Sequence, residues 1–162
     1  ARAMSAESDH DGVDPKVTRD RIVATLDAMP YARHLGIGLS LAGTGESTAA
    51  LFHLPFDARL IGNVTLPAIH GGVVASFMRA AALAATSALL PEDLPPKLVD
   101  FSLDYLSSAG PADLYAQCEM HRVGKRIAAV GVRCWQKTPD APVALGRAHV
   151  FVAPSASDAS VI

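Results

Sequence analysis

The residues of this chain best placed to do chemistry are Ile69-His70-Gly71-Gly72-Val73-Val74. A histidine and two glycines head a long run that has no proline, no further glycine and one charge, Arg79. That run predicts a helix. A helix start exposes unpaired backbone N–H groups and the positive end of the macrodipole. Glycine lets a ligand come close to that backbone. Such a start can hold an anion or polarise a carbonyl oxygen. Gly72, Ser76 and Arg79 share one helical face, so Arg79 should point towards whatever the helix start binds. A tight glycine turn leading into a buried helix, with His70 as a hydrogen-bonded structural histidine, explains the same residues.

The helix that must position these groups lies within Pro67 to Leu90. Its composition is mostly Ala, Val, Leu, Phe and Met, apolar nearly all round, which marks a buried helix. Ser76, Arg79 and Thr86 make it a poor membrane span.

With 162 residues, half of them hydrophobic, the chain is one domain with enough apolar material for a core. A net charge of -2 gives no reason to expect a nucleic-acid or membrane partner. The polar, acidic start lacks the apolar stretch of a secretory signal, so a cytoplasmic protein is expected. Two cysteines, Cys118 and Cys134, do not make a disulfide framework. No metal-ligand spacing, phosphate-binding glycine loop or nucleophile elbow occurs.

Taken in order, residues 1–14 read as a mobile tail, residues 15–153 as the domain and residues 154–162 as a second tail. Asp14-Pro15 is a helix start. Ile22, Val23, Leu26 and Met29 form its apolar face, and Pro30 stops it. Leu35 to Leu41 alternates as a strand, Gly43-Thr44-Gly45 turns the chain, and Ser47 to Leu54 returns as a second strand. Pro55 to Pro67 reads as an irregular loop. After the long helix, Lys97 to Leu106 alternates, with Val99, Phe101, Leu103 and Tyr105 on one face. Leu114–Arg122 and Ile127–Gln136 form a hairpin around Gly124-Lys125. Pairing Val123 with Ile127 sets Cys118 opposite Val132, too far from Cys134 for a disulfide. Val143 to Val152 is a last strand. Runs of strands around one helix predict an α+β fold with an antiparallel sheet. One sheet covers only one side of an apolar helix, so a second copy of the chain is expected to cover the rest.

From Tyr31 to Val152 the chain resembles the hotdog-fold acyl-CoA thioesterases, in the branch of the phenylacetate-pathway enzymes. The resemblance rests on Leu35-Gly36-Ile37, Leu60-Ile61-Gly62-Asn63, His70-Gly71-Gly72-Val73-Val74, Val99 to Leu106, and the turn Arg122-Val123-Gly124-Lys125-Arg126-Ile127. It implies an antiparallel sheet wrapped around a long central helix, with active sites at a dimer interface. It implies an acyl-CoA substrate, no further cofactor, and a homodimer or dimer of dimers. By the same resemblance the amide of Gly71 or Gly72 would polarise the thioester carbonyl. His70 would shape the pocket or orient the thioester, and Asn63 would line the site and position water. Arg122, Lys125 and Arg126 would meet the CoA phosphates; a solvated turn is the plainer reading of those three.

Three departures cluster near that site. Where the family usually carries Asp or Glu as base or nucleophile, this chain has Arg79, which stays protonated and cannot take a proton from water. Tyr105-Leu106-Ser107-Ser108 lacks the family's arginine, and Leu66-Pro67-Ala68 lacks a glycine. Two functions follow. One is a thioesterase whose water is held by Asn63, His70 or a partner's carboxylate such as Asp100 or Asp104. The other is a silent subunit or acyl-CoA-binding protein, alone or in a heteromer with a competent hotdog paralogue, in which Arg79 pairs with a carboxylate.

Overall fold

The computed structural model describes residues 15–42, 49–91 and 94–152. The two expected tails, the Asp14 cap and the turn at Gly43-Thr44-Gly45 lie outside those residues. Helix α1 (Pro15–Ala28) buries Ile22 and Leu26, one turn apart. Pro30 does more than stop it. It occupies the first position of a short helix, α2 (Pro30–Leu35), where proline's fixed φ costs nothing. Gly36 closes α2 at φ 69°, its N–H turned back on the Ala32 and Arg33 carbonyls. The strand expected from Leu35 therefore begins later, as β1 (Gly38–Ala42).

Strand β2 (Ala49–Leu54) pairs antiparallel with β1. The stretch expected to be irregular holds a single 3₁₀ turn, Ala58–Leu60, capped by the Asp57 side chain. A two-stranded ribbon follows, β3 (Ile61–Asn63) and β4 (Ala68–Ile69). The ribbon feeds the central helix α3 (Gly71–Ser87). The remaining strands are β5 (Lys97–Tyr105), β6 (Leu114–Val123), β7 (Ile127–Trp135) and β8 (Ala144–Phe151). The main sheet is antiparallel in the order β1-β2-β6-β7-β8-β5, leaving β1 and β5 as edges.

This sheet packs its inner face on α3. Phe52, Leu54, Leu114, Ala116, Val130 and Cys134 meet Phe77, Met78, Ala81 and Ala82 in one buried cluster. The alanines let helix and sheet approach closely. Helices α1 and α2 cover another flank of α3, but one stripe of the helix stays open: Gly72 and Arg79 are exposed, Ser76 and Leu83 half-buried.

Two register details differ from expectation. Cys118 does face Val132, but a bulge between Met120 and Arg122 sets Val123 opposite Ala128 rather than Ile127. Both cysteines are free. On β5, a bulge between Leu98 and Asp100 breaks the alternation. Leu98, Phe101 and Leu103 face the core, whereas Val99 is 59% and Tyr105 55% exposed. No helix of the described residues is long and apolar enough to cross a membrane.

Candidate active site

The entry to α3 is held on three sides. The Ile69 N–H donates to the Ala109 carbonyl and the His70 N–H to the Leu60 carbonyl, each at 2.8 Å. His70 is the N-cap of α3, and its Nδ1 accepts from the Gly72 N–H at 2.9 Å. That bond needs a lone pair on Nδ1, so the neutral ring carries its proton on Nε2. His70 in this pose is a donor at Nε2 rather than a base. Gly62 explains its own residue type. A Cβ there would stand 2.7 Å from the His70 Cβ and Cδ2, so only glycine lets the ribbon lie on the histidine.

The second strut comes from β5. The Tyr105 hydroxyl donates to the Gly71 carbonyl at 2.6 Å. The Gly71 N–H has no acceptor among the described residues. Of the two expected amides, then, Gly72's is taken by the cap and Gly71's is open. Beside it lies a cavity of about 380 Å³ lined by Gly71, Val74, Tyr105, Leu106, Ser107 and Ser108.

The other expected site residues divide. Asn63 is exposed, and its Oδ1 accepts from the Thr65 and Leu66 amides at 3.0 and 3.1 Å. Its oxygen shapes the ribbon's tip, which holds out Val64 and Leu66 at 91% and 68% exposure. Ser76 and Arg79 line a hollow of about 310 Å³ against Met29, Tyr31, Ile37 and Leu83. None of the ion pairs among the described residues involves Arg79.

Arg122, Lys125 and Arg126 sit at the β6–β7 turn, with the Arg126 guanidinium 6.0 Å from the centre of the Phe151 ring. Phe151 pairs with Lys97, at the end of β5 opposite Tyr105. One chain therefore keeps its basic turn and its helix start at opposite ends of the sheet. Of the expected carboxylates, Asp100 faces His149 at 3.3 Å.

Sequence reasoning placed Tyr105 on one face with Val99, Phe101 and Leu103 and missed its bond to Gly71. The contact joins residues 34 apart in the chain, which no local pattern announces. It also missed Asp113, which accepts from the Phe56 N–H and contacts His53 Nε2, both at 2.8 Å. Those bonds hold the Asp113 carboxyl below its ordinary range.

A helix wrapped by an antiparallel sheet, with a glycine-opened start beside a cavity, defines the hotdog class of α+β domain. The family model that matches, over residues 66–143, is that of the thioesterase superfamily. A solved protein from the thioesterase superfamily is 25% identical, with 84% of this chain and 98% of that chain covered and a TM-score of 0.73. A protein from Chromobacterium violaceum is 37% identical over 85% of this chain and 95% of that one, at a TM-score of 0.65. A Bacillus halodurans protein solved with CoA is 21% identical over 91% of this chain and 98% of that one, at a TM-score of 0.67. No curated protein sequence matches. The chain belongs to the thioesterase superfamily, whose reaction is hydrolysis of a thioester.

Proposed function

We propose that this protein is an acyl-CoA thioesterase that works as a homodimer or larger homo-oligomer, with its site at the start of α3. The observation that carries the reading is the unpartnered Gly71 amide at the positive end of a long, mostly buried helix, at a residue that lines a cavity. A thioester carbonyl placed there gains a hydrogen bond that strengthens as the tetrahedral oxyanion forms. His70, with its proton on Nε2, can donate to the departing sulfur. No carboxylate stands on this face of α3, and general-base help is worth about 10²–10⁴-fold, so a modest turnover number is expected. That CoA accompanies the Bacillus halodurans relative supports the CoA ester as substrate.

The open β5 edge supports a dimer. Antiparallel pairing of β5 with the same strand of a second copy would set one copy's Tyr105 end beside the other's Lys97 end. The partner subunit's Arg122, Lys125 and Arg126 would then approach this copy's helix start, where CoA phosphates need cations.

The test replaces Gly71 with proline. Gly71 is the first residue of α3, where proline is favoured, and His70 at φ -57° and ψ 128° has the backbone that precedes proline readily. Gly71→Pro removes the amide hydrogen and puts a ring methylene in its place, whereas Gly71→Ala keeps the hydrogen and adds the same Cβ, 3.1 Å from the Tyr105 hydroxyl. Thiol release from acyl-CoA should fall about 10²–10³-fold in kcat for Gly71→Pro relative to Gly71→Ala. Equal rates would remove the amide from the mechanism.

A further inference from the structure

Helix α3 starts with two consecutive glycines, and their own backbone does little to hold them there. Glycine samples conformations that side chains disfavour, so a Gly71-Gly72 start left alone frays and swings its amides. Here two successive peptide planes are fixed. The His70 carbonyl, in the plane that carries the Gly71 N–H, accepts from the Val73 and Val74 amides at 2.8 and 3.2 Å. The next plane is gripped at both ends by side chains. Its N–H, on Gly72, donates to His70 Nδ1, and its oxygen, on Gly71, accepts from the Tyr105 hydroxyl at 2.6 Å. Among these bonds, only the one from Tyr105 ties the glycine pair to another element, the end of β5. It is surplus to the helix, whose own ladder offers the Ala75 N–H to that carbonyl.

We infer that Tyr105 is a positioning residue for hydrolysis: its hydroxyl holds the glycine pair so that the unpartnered Gly71 amide keeps one direction when the substrate carbonyl arrives. The inference rests on the thioesterase reading of the helix start. A donor aimed in advance needs no reorganisation as charge develops on the oxygen. A displacement of about 1 Å at a reacting group can cost about 10²-fold in rate. Tyr105 lines the same cavity as Gly71, so the tie and the amide share one wall of the proposed site.

The same contact supplies the test. A Cβ at Gly71 would lie 3.1 Å from the Tyr105 hydroxyl, 3.3 Å from its Cζ and 3.5 Å from its Cε1. Alanine at 71 therefore presses chiefly on the hydroxyl, the one group that Tyr105→Phe removes. Gly71 has no positive φ, so alanine fits its backbone and narrows it to helical angles without a tie. The two substitutions should harm singly and compensate together.

Tyr105→Phe, Gly71→Ala and the double variant are compared with wild type in thiol release from hexanoyl-CoA. Binding of S-hexyl-CoA, a thioether without the carbonyl, is measured by calorimetry. The assays are run where circular dichroism and light scattering match wild type. Tyr105→Phe should lower kcat about 10- to 100-fold, with KM and thioether affinity held within about twofold. Gly71→Ala should lower kcat about threefold in wild type and raise it by at least as much in Tyr105→Phe. A Tyr105→Phe protein that unfolds earlier in urea yet turns over like wild type would confine the hydroxyl to stability and overturn the inference. Alanine lowering kcat equally in both backgrounds would overturn it as well. Thioether binding lost together with kcat would make Tyr105 a substrate contact, with the same result. Each of these outcomes leaves the thioesterase reading standing. No thiol release by wild type from acetyl-CoA, hexanoyl-CoA or phenylacetyl-CoA would sink that reading and the inference with it.

Discussion

At the scale of single residues, His70 does two things that substitution can separate. Its Nδ1 caps α3, which leaves the ring proton on Nε2. Asparagine is a good N-cap and alanine is not. His70→Ala should therefore lose about 1 kcal/mol of stability in urea unfolding, while His70→Asn should keep most of it. If the imidazole also serves the departing sulfur, both variants should lose turnover alike. Activity tracking stability instead would confine His70 to the cap. Gly62 makes a sharper case. The atoms its Cβ would strike include the His70 Cα, at 2.8 Å, so no rotamer change relieves the clash. Gly62→Ala should cost about 1–3 kcal/mol and reduce kcat with it, because the ribbon must lift the histidine off the helix start. Unchanged thiol release in a destabilised Gly62→Ala protein would show that the ribbon's position and the chemistry are independent.

At the scale of elements, Asp113 joins the exit of β2 to the start of β6 through His53 and the Phe56 amide. Its carboxyl is held below the ordinary 3.8, chiefly by the Phe56 amide and then by His53. Asp57 is lowered further, to about 2, by the Arg59 side chain and amide. A depressed folded value means that the folded state favours the carboxylate. The contribution is complete above about 4 and is lost as pH falls towards the folded values. Asp113→Asn should flatten the decline of stability below pH 4, measured as urea midpoints across the acid range; an unaltered slope would place the acid sensitivity elsewhere. Burial pushes both cysteine thiols up to about 12, which agrees with inert, unpaired sulfurs. Much of this level was legible in the sequence. The proline- and glycine-free apolar run after Gly72 reads as a buried helix, period-two alternation marked β1 and β5, and the turns between them marked β2 and β6 to β8. What was not legible was the interruption of those periods. Leu35 and Gly36 satisfy both an alternating strand and a capped helix end, and Pro30 with Gly36 decides for the helix. The bulges in β5 and β6 depend on how neighbouring strands twist over α3, so the outward turn of Val99 is a tertiary effect. The role of His70 as cap was open to reading from its place before the glycines, but the spent oxygen of Asn63 was not. Its two acceptor bonds exist only because the ribbon folds back within three residues.

At the scale of the whole molecule, the protein leaves apolar surface where a monomer gains nothing from it. Strand β5 is a sheet edge bearing Val99 and Tyr105, and Leu106 follows at 54% exposure. An unpaired, apolar edge is the surface another strand pairs with. In the proposed dimer this edge closes the cavity beside Gly71, so assembly and activity should fail together. Introducing charge on the edge tests this without touching the core or that cavity: Val99→Lys alters only an exposed position, where most substitutions cost under about 0.5 kcal/mol. Light scattering should show wild type as a dimer or larger, with of order 1,600 Å² buried per interface, and the variant as a monomer with unchanged circular dichroism. Thiol release by that monomer should drop with the dimer fraction and recover at high protein concentration. A monomeric wild type, or a monomeric variant with full activity, would separate the site from the β5 edge. It would also mean that a single chain binds CoA with its helix start and basic turn at opposite ends of the sheet.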